Sequence, residues 1–167
     1  MKKTLLAIMI FVCCSLAGKA QTLSVFSVDY DGPYTNIRNA PKGVVVDRVK
    51  TGEDAMFEVT SPRNGWWRIV GDSYGLPDKD DIMLKGSTKG YWIHYSTIGI
   101  GTRNYGGQTL TLRSTPGGKV VYSFKEEITL RPIDIKGGRV KVRTVDGKHT
   151  GWIEEEWLCG NPLTNCC

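Results

Sequence analysis

The feature that most constrains this chain is an internal repetition. Residues 110–121, LTLRSTPGGKVV, match residues 35–46, TNIRNAPKGVVV, at a constant offset of 75 positions. Asn36 falls on Thr111, Ile37 on Leu112, Arg38 on Arg113, Pro41 on Pro116 and Gly43 on Gly118. Val45 and Val46 fall on Val120 and Val121, and upstream Tyr30 and Gly32 fall on Tyr105 and Gly107. One offset shared over such a length marks a duplicated unit. Each copy alternates apolar and polar residues and then turns on Pro and Gly, which predicts a short strand followed by a tight turn.

The rest of the chain follows the same grammar. Strands are expected over 22–29, 44–49, 55–60, 66–70 and 91–94, and again over 110–113, 119–124, 128–134 and 139–145. Turn chemistry separates them, at Asp31-Gly32-Pro33, at residues 61–65, at Lys136-Gly137-Gly138 and at Asp146-Gly147. In the last strand Val140, Val142 and Val145 are read as nearly in phase. No stretch sustains a helical period, so the expected class is all-β, with room for a single helical turn at 154–158. The halves differ at residues 71–89, a loop insertion for which the second half has only residues 144–150. Surface insertions cost little stability and often carry function.

The first twenty residues stand apart. Lys2 and Lys3 precede an uncharged apolar run over 4–16, and Ala17, Gly18 and Ala20 follow. That order is an export signal, with cleavage expected after Ala20. The run is too short to span a bilayer comfortably, so the mature chain is expected to carry no transmembrane segment. Val12 before Cys13 is not the small residue a lipoprotein signal requires, which disfavours a lipid anchor. With the signal go three lysines and no acid, so the formal charge falls from +5 to +2. No basic stripe remains, and nucleic acid is not an expected partner. Cys159, Cys166 and Cys167 are left near the end of the chain. An exported protein favours a short disulfide loop from Cys159 to Cys166 or Cys167 over a zinc site, since His94 and His149 are far off in sequence.

The ordered set of an apolar/Arg strand with a Pro turn, a Gly-Trp strand and a Gly-(x)-Trp-Ile strand resembles the bacterial SH3-like (SH3b) domain. The matching residues are Ile37-Arg38 with Pro41, Gly65-Trp66 and Tyr91-Trp92-Ile93 in the first copy. In the second they are Leu112-Arg113 with Pro116, Gly138 and Gly151-Trp152-Ile153. The copies depart from the pattern at Arg139, where an aromatic would follow Gly138, and at the insertion. The resemblance implies two small SH3-like β-barrels in tandem, at 22–98 and 99–167, after a signal peptide over 1–20. Domains of this family flank cell-wall enzymes, notably NlpC-type peptidoglycan endopeptidases. No catalytic Cys–His pair, zinc-protease helix, phosphate loop or serine elbow accompanies them here. The expectation is therefore a non-catalytic exported module without a cofactor, in the periplasm, at the cell surface or secreted. It would bind peptidoglycan or its stem peptides, or else dock another exported protein.

Repeat alignment separates candidate core from candidate site. Trp67 aligns with Val140 and Ile69 with Val142, which makes these the core set. Trp66 aligns with Arg139 and, on the opposite face of its strand, is expected to point outward. Trp92 and Trp152 match each other and read as structural. The candidate ligand residues are Tyr30, Tyr34, Arg38, Trp66 and Tyr91, an aromatic group around a guanidinium suited to a carboxylate. The competing reading of Arg38 is a brace of the barrel through an internal ion pair, repeated as Arg113. Asp72, Asp78, Asp80 and Asp81 lack the spacing of a calcium loop and read as a solvated acidic segment.

Overall fold

Alternation becomes strand in nearly every place where it occurs. The computed structural model describes residues 20–163, so residues 1–19 of the expected export signal, and Cys166 and Cys167, lie outside the described residues. Its first half contains β1 (Thr22–Ser27), β2 (Tyr34–Arg38), β3 (Val45–Lys50), β4 (Met56–Arg63), β5 (Trp66–Ile69), β6 (Ser73–Leu76), β7 (Lys79–Met83) and β8 (Trp92–His94). Then come β9 (Ile98–Thr102), β10 (Leu110–Arg113), β11 (Val120–Phe124), β12 (Thr129–Lys136), β13 (Arg139–Thr144), β14 (Thr150–Glu154) and β15 (Leu158–Cys159). Single turns of 3-10 helix at Tyr95–Thr97 and Glu155–Trp157 are the helical elements among the described residues. The protein is all-β.

Twelve strands follow one another in a continuous antiparallel path, β11-β10-β14-β13-β12-β9-β1-β4-β5-β8-β2-β3. From its centre the path reads β1-β4-β5-β8-β2-β3 in one direction and β9-β12-β13-β14-β10-β11 in the other. The repeat in the amino acids is thus also a repeat in pairing. Arg38 lies opposite Trp92 as Arg113 lies opposite Trp152. Trp66 lies opposite His94 as Arg139 lies opposite Glu154.

Strand β9 serves both halves. Ile98 and Gly99 pair with Ser27 and Phe26 of β1, Ile100 and Gly101 pair with Leu130 and Thr129 of β12, and Gly101 and Thr102 pair with β15. The expected boundary between residues 98 and 99 therefore falls inside a strand. The crossing is tight: a Cβ on Gly99 would come within 2.7 Å of Thr129 Cγ2 and 2.8 Å of Val28 Cγ1.

The two sets of inward-facing residues join in one hydrophobic cluster. Trp67 and Val140, equivalent by repeat, are both fully buried. Trp67 also bridges the halves, its indole N–H donating across to the Pro132 carbonyl at 2.9 Å. Arg131 Nη1 donates to the Ser96 carbonyl, and Gln21 Nε2 donates to Glu155 Oε2 at 2.6 Å, so polar groups cross the same junction.

Two sequence expectations change. The insertion is a hairpin rather than a loop: β6 pairs with β7 and touches β4 through Met56 and Gly75. Its turn places Asp78 at φ 56°, a left-handed conformation that Asp tolerates better than most residues. And Val145 is out of phase. It is exposed, while Thr144 is buried and ties down the Asp146-Gly147 turn by donating to Asp146 Oδ1 at 2.6 Å.

Candidate functional site

Strand β8 lies between β2 and β5, so the residues flanking it meet on one surface. Arg38 ends β2, Trp66 begins β5 and His94 ends β8. The Arg38 guanidinium sits over the Trp66 ring, 5.7 Å from its centroid, within range of a cation–π contact. The Trp66 and His94 rings are 4.9 Å apart and tilted, and His94 meets Tyr95 in turn at 4.7 Å, again tilted. Arg38, Trp66 and His94, with Asp29, Asn36, Lys42 and Thr97, line an open pocket of about 300 Å³.

The pocket's floor is fixed by local bonds. Arg38 Nη1 donates to the Gly43 carbonyl at 2.6 Å and so braces the Pro turn. Arg113 repeats this with Gly118 at 2.9 Å. The brace read from the sequence is present in both halves, made through a carbonyl rather than an ion pair. Within the same turn Lys42 adopts φ 59°. Asp29 accepts from Thr35 Oγ1 and from the Asp31 N–H, each at 3.2 Å. His94 Nδ1 lies 2.7 Å from Ser96 Oγ, and burial lowers the imidazole's pKa below its usual 6.5. At neutral pH the pocket thus presents two cations, Arg38 and Lys42, beside one carboxylate already engaged and two flat rings. An anionic group with an adjoining apolar or planar part fits that chemistry.

The five sequence candidates do not all meet here. Arg38 and Trp66 do. Trp66 faces away from Trp67, as strand alternation requires, yet it is 9% exposed rather than outward-facing, because Arg38 and His94 cover it. Tyr91 is buried, and its hydroxyl donates to the carbonyls of Leu84 and Ser87, so it holds the return of the insertion. Tyr34 is exposed four residues before Arg38 and does not line the pocket. Tyr30 is exposed and lines a different hollow of about 340 Å³, with Tyr105, Arg103 and Glu127. Lys42, His94, Asp29 and Asn36 went unrecognised in the sequence. His94 could have been found from register, as the residue that follows the Trp-Ile pair and faces Trp66.

The second half builds the same place differently. Arg139 stands where Trp66 stands and pairs with Glu154 at 3.4 Å, both side chains being partly exposed. An ion pair replaces the contact between rings. A larger cleft of about 540 Å³ lies where the halves join, lined among others by Ser24, Glu58, Asp81, Glu155 and Asn161. Ser24 Oγ donates to Glu58 Oε1 at its edge. Of the cysteines and insertion aspartates singled out in the sequence, Cys159 and Asp81 border it. Among the described residues no group of three His, Cys, Asp or Glu side chains is arranged to hold a metal, and no helix is long and apolar enough to cross a membrane.

No protein-family model and no curated protein matches the chain. Among solved structures it is similar to NlpC1 from Trichomonas vaginalis, with 13% identity and a TM-score of 0.32. The alignment covers 90% of this chain and 50% of that one, so the chain spans half the length of the structure it matches.

Proposed function

We propose that this chain is a non-catalytic, exported binding module built of two SH3-like units, and that its first unit holds carboxylate-bearing peptides of the kind found in peptidoglycan stems. The matched pairing order of the halves supports the tandem reading. The units share β9, so they act as one body. The observation that carries the binding reading is the Arg38–Trp66–His94 pocket with Lys42 at its rim, which the second half replaces by the Arg139–Glu154 pair. Arg38 keeps guanidinium nitrogens beyond the one bonded to Gly43, so bracing the turn and gripping a carboxylate are compatible. Lys42 supplies a second charge, and the rings give a flat surface for the adjoining part of the peptide. A disulfide from Cys159 to Cys166 or Cys167 belongs to the same reading of an exported protein.

Calorimetric titration with soluble wall peptides, as free acids and as C-terminal amides, tests the proposal. Free acids are expected to bind more tightly. Trp66→Ala and Lys42→Ala are expected to weaken binding by about 1–3 kcal/mol each, the range for anchoring contacts. Equal binding of acid and amide, or no response to either substitution, would refute the site.

A further inference from the structure

Strand β13 gathers cations that the sequence shows only as isolated residues. It buries Val140, Val142 and Thr144 and leaves Arg139, Lys141 and Arg143 on the other face. Alternation sets these charges about 7 Å apart along the strand. Neighbouring strands widen the stripe. Arg131 of β12 lies directly opposite Arg143, Lys136 opposite Arg139 and Asp134 opposite Lys141. On the other side Trp152 of β14 lies opposite Lys141 and Glu154 opposite Arg139, and Arg113 of β10 lies opposite Trp152. Directly opposed residues share a face. The result is a plane of cations around one half-buried indole. The absence of a basic stripe, expected from the sequence, is thereby corrected: there is no Lys/Arg run, and the strand period assembles one from alternate positions.

The arginines are held in place without being neutralised. Arg131 Nη1 donates to the Ser96 carbonyl, Arg113 Nη1 to the Gly118 carbonyl and Arg143 Nε to the Gly147 carbonyl at 3.1 Å. A carbonyl orients a guanidinium but leaves its charge intact, with further N–H donors on the same group. Of the two carboxylates, Glu154 pairs with Arg139, and Asp134 Oδ1 accepts the Ile135 N–H at 2.8 Å. Arg131 and Arg143 are like charges directly opposed, an arrangement that costs a sheet stability. The first half avoids it. Glu58 and Val70 stand at the equivalent places, and the Val70 N–H donates to the Glu58 carbonyl at 2.8 Å.

We infer that this face of the second unit binds a linear acidic polysaccharide, its carboxylates on the cations and a sugar ring against Trp152. Charge complementarity selects a polyanion, since one small anion cannot reach all the rows from Arg139 to Arg143. Guanidinium groups take carboxylates in two parallel bonds. Trp152, flanked by Lys141 and Arg113, lies within the plane and offers a flat surface to a sugar; it does not project as a membrane-inserting side chain would. The choice of a sugar polymer over nucleic acid rests on the exported reading above. The face itself shares no residue with the Arg38–Trp66 pocket.

Calorimetric titration of the mature chain with oligogalacturonate, its methyl ester, phosphatidylglycerol vesicles and single-stranded DNA provides the test. Oligogalacturonate is expected to bind, more weakly as salt rises, and the ester, with the same rings but no charge, is not. Lys141→Gln combined with Arg143→Gln is expected to lower affinity by about tenfold or more with unchanged melting. Should the pair disturb folding, Arg143→Gln alone, at an exposed position, is expected to lower it about threefold. Arg68→Gln, the first unit's equivalent of Lys141, and Lys42→Ala, at the peptide pocket, are expected to leave it unchanged, so this reading and the peptide reading can fail separately. No binding of oligogalacturonate, equal binding of the ester, indifference to the β13 substitutions, or tighter binding of vesicles or DNA would overturn the inference.

Discussion

Replacing Trp67 by Phe isolates the bond that joins the two halves. The ring remains aromatic and buried, but the N–H that reaches the Pro132 carbonyl is gone. Removing the donor leaves the buried Pro132 carbonyl without that partner, at a cost of about 1–2 kcal/mol. Phe is smaller by roughly 40 Å³, and at about 24 cal/mol per Å³ the unfilled space adds about 1 kcal/mol. The expected loss is about 2–3 kcal/mol. Trp66→Phe is the matched control one residue away: the same chemical change, at a side chain whose indole N–H makes no hydrogen bond among the described residues. Its expected cost is about 1 kcal/mol. Urea titration followed by far-ultraviolet circular dichroism measures both without relying on tryptophan emission. Because Trp67 and β9 couple the halves, the wild-type transition should be single, and its slope should be the same in both variants. Equal losses for Trp67→Phe and Trp66→Phe would show that the cross-junction bond contributes nothing, and two separate wild-type transitions would refute the coupling itself.

Val140→Ala, at a fully buried position, should cost about 1–3 kcal/mol, which thermal or urea unfolding will show. Gly99→Val should be at least as costly, since its side chain would meet Thr129 and Val28 at the shared strand, and loss of soluble folded protein is the simplest readout. Burial lowers the His94 pKa below 6.5, so the unfolded chain takes up a proton that the folded one resists; stability is full above pH 6.5 and falls as pH drops toward the depressed folded value. His94→Gln should flatten that slope in pH-dependent melting. Asp146 is held at about 2, down from 3.8, first by the Thr144 hydroxyl and then by the Lys148 N–H. Its contribution is present above pH 3.8 and lost as pH falls through about 2, and Thr144→Val should move its carboxyl resonance titration upward.

The repeat made the fold class legible because the residues that recur, Ile37 with Leu112 and Trp67 with Val140, are those whose burial repeats. Arg38 and Trp66 could also be placed together, since each flanks the strand that carries the Trp-Ile pair. Other features left no such trace. The insertion pairs through backbone bonds, and β7, with its KDDIM sequence, has no apolar alternation to announce a strand. Tyr91 reads as a free aromatic until the carbonyls of Leu84 and Ser87 are found at its hydroxyl. The sharing of β9 was hidden because Ile98, Gly99, Ile100 and Gly101 alternate as any single strand would. Nothing in that alternation says that different neighbours claim its two ends.

That shared strand makes the connection between the halves a growth rule rather than a joint. Ile98 leaves one helical turn and pairs beside β1. Leu158 leaves the next helical turn and pairs beside β9 in the same manner. Each unit therefore ends by laying down the opening strand of its successor, as a course of bricks leaves the ledge for the next. Strand β15 is two residues long, and Pro162 soon follows, which removes a backbone donor where a longer strand would need one. Lengthening that strand, rather than adding a linker, is the change by which such an architecture would accept a third unit.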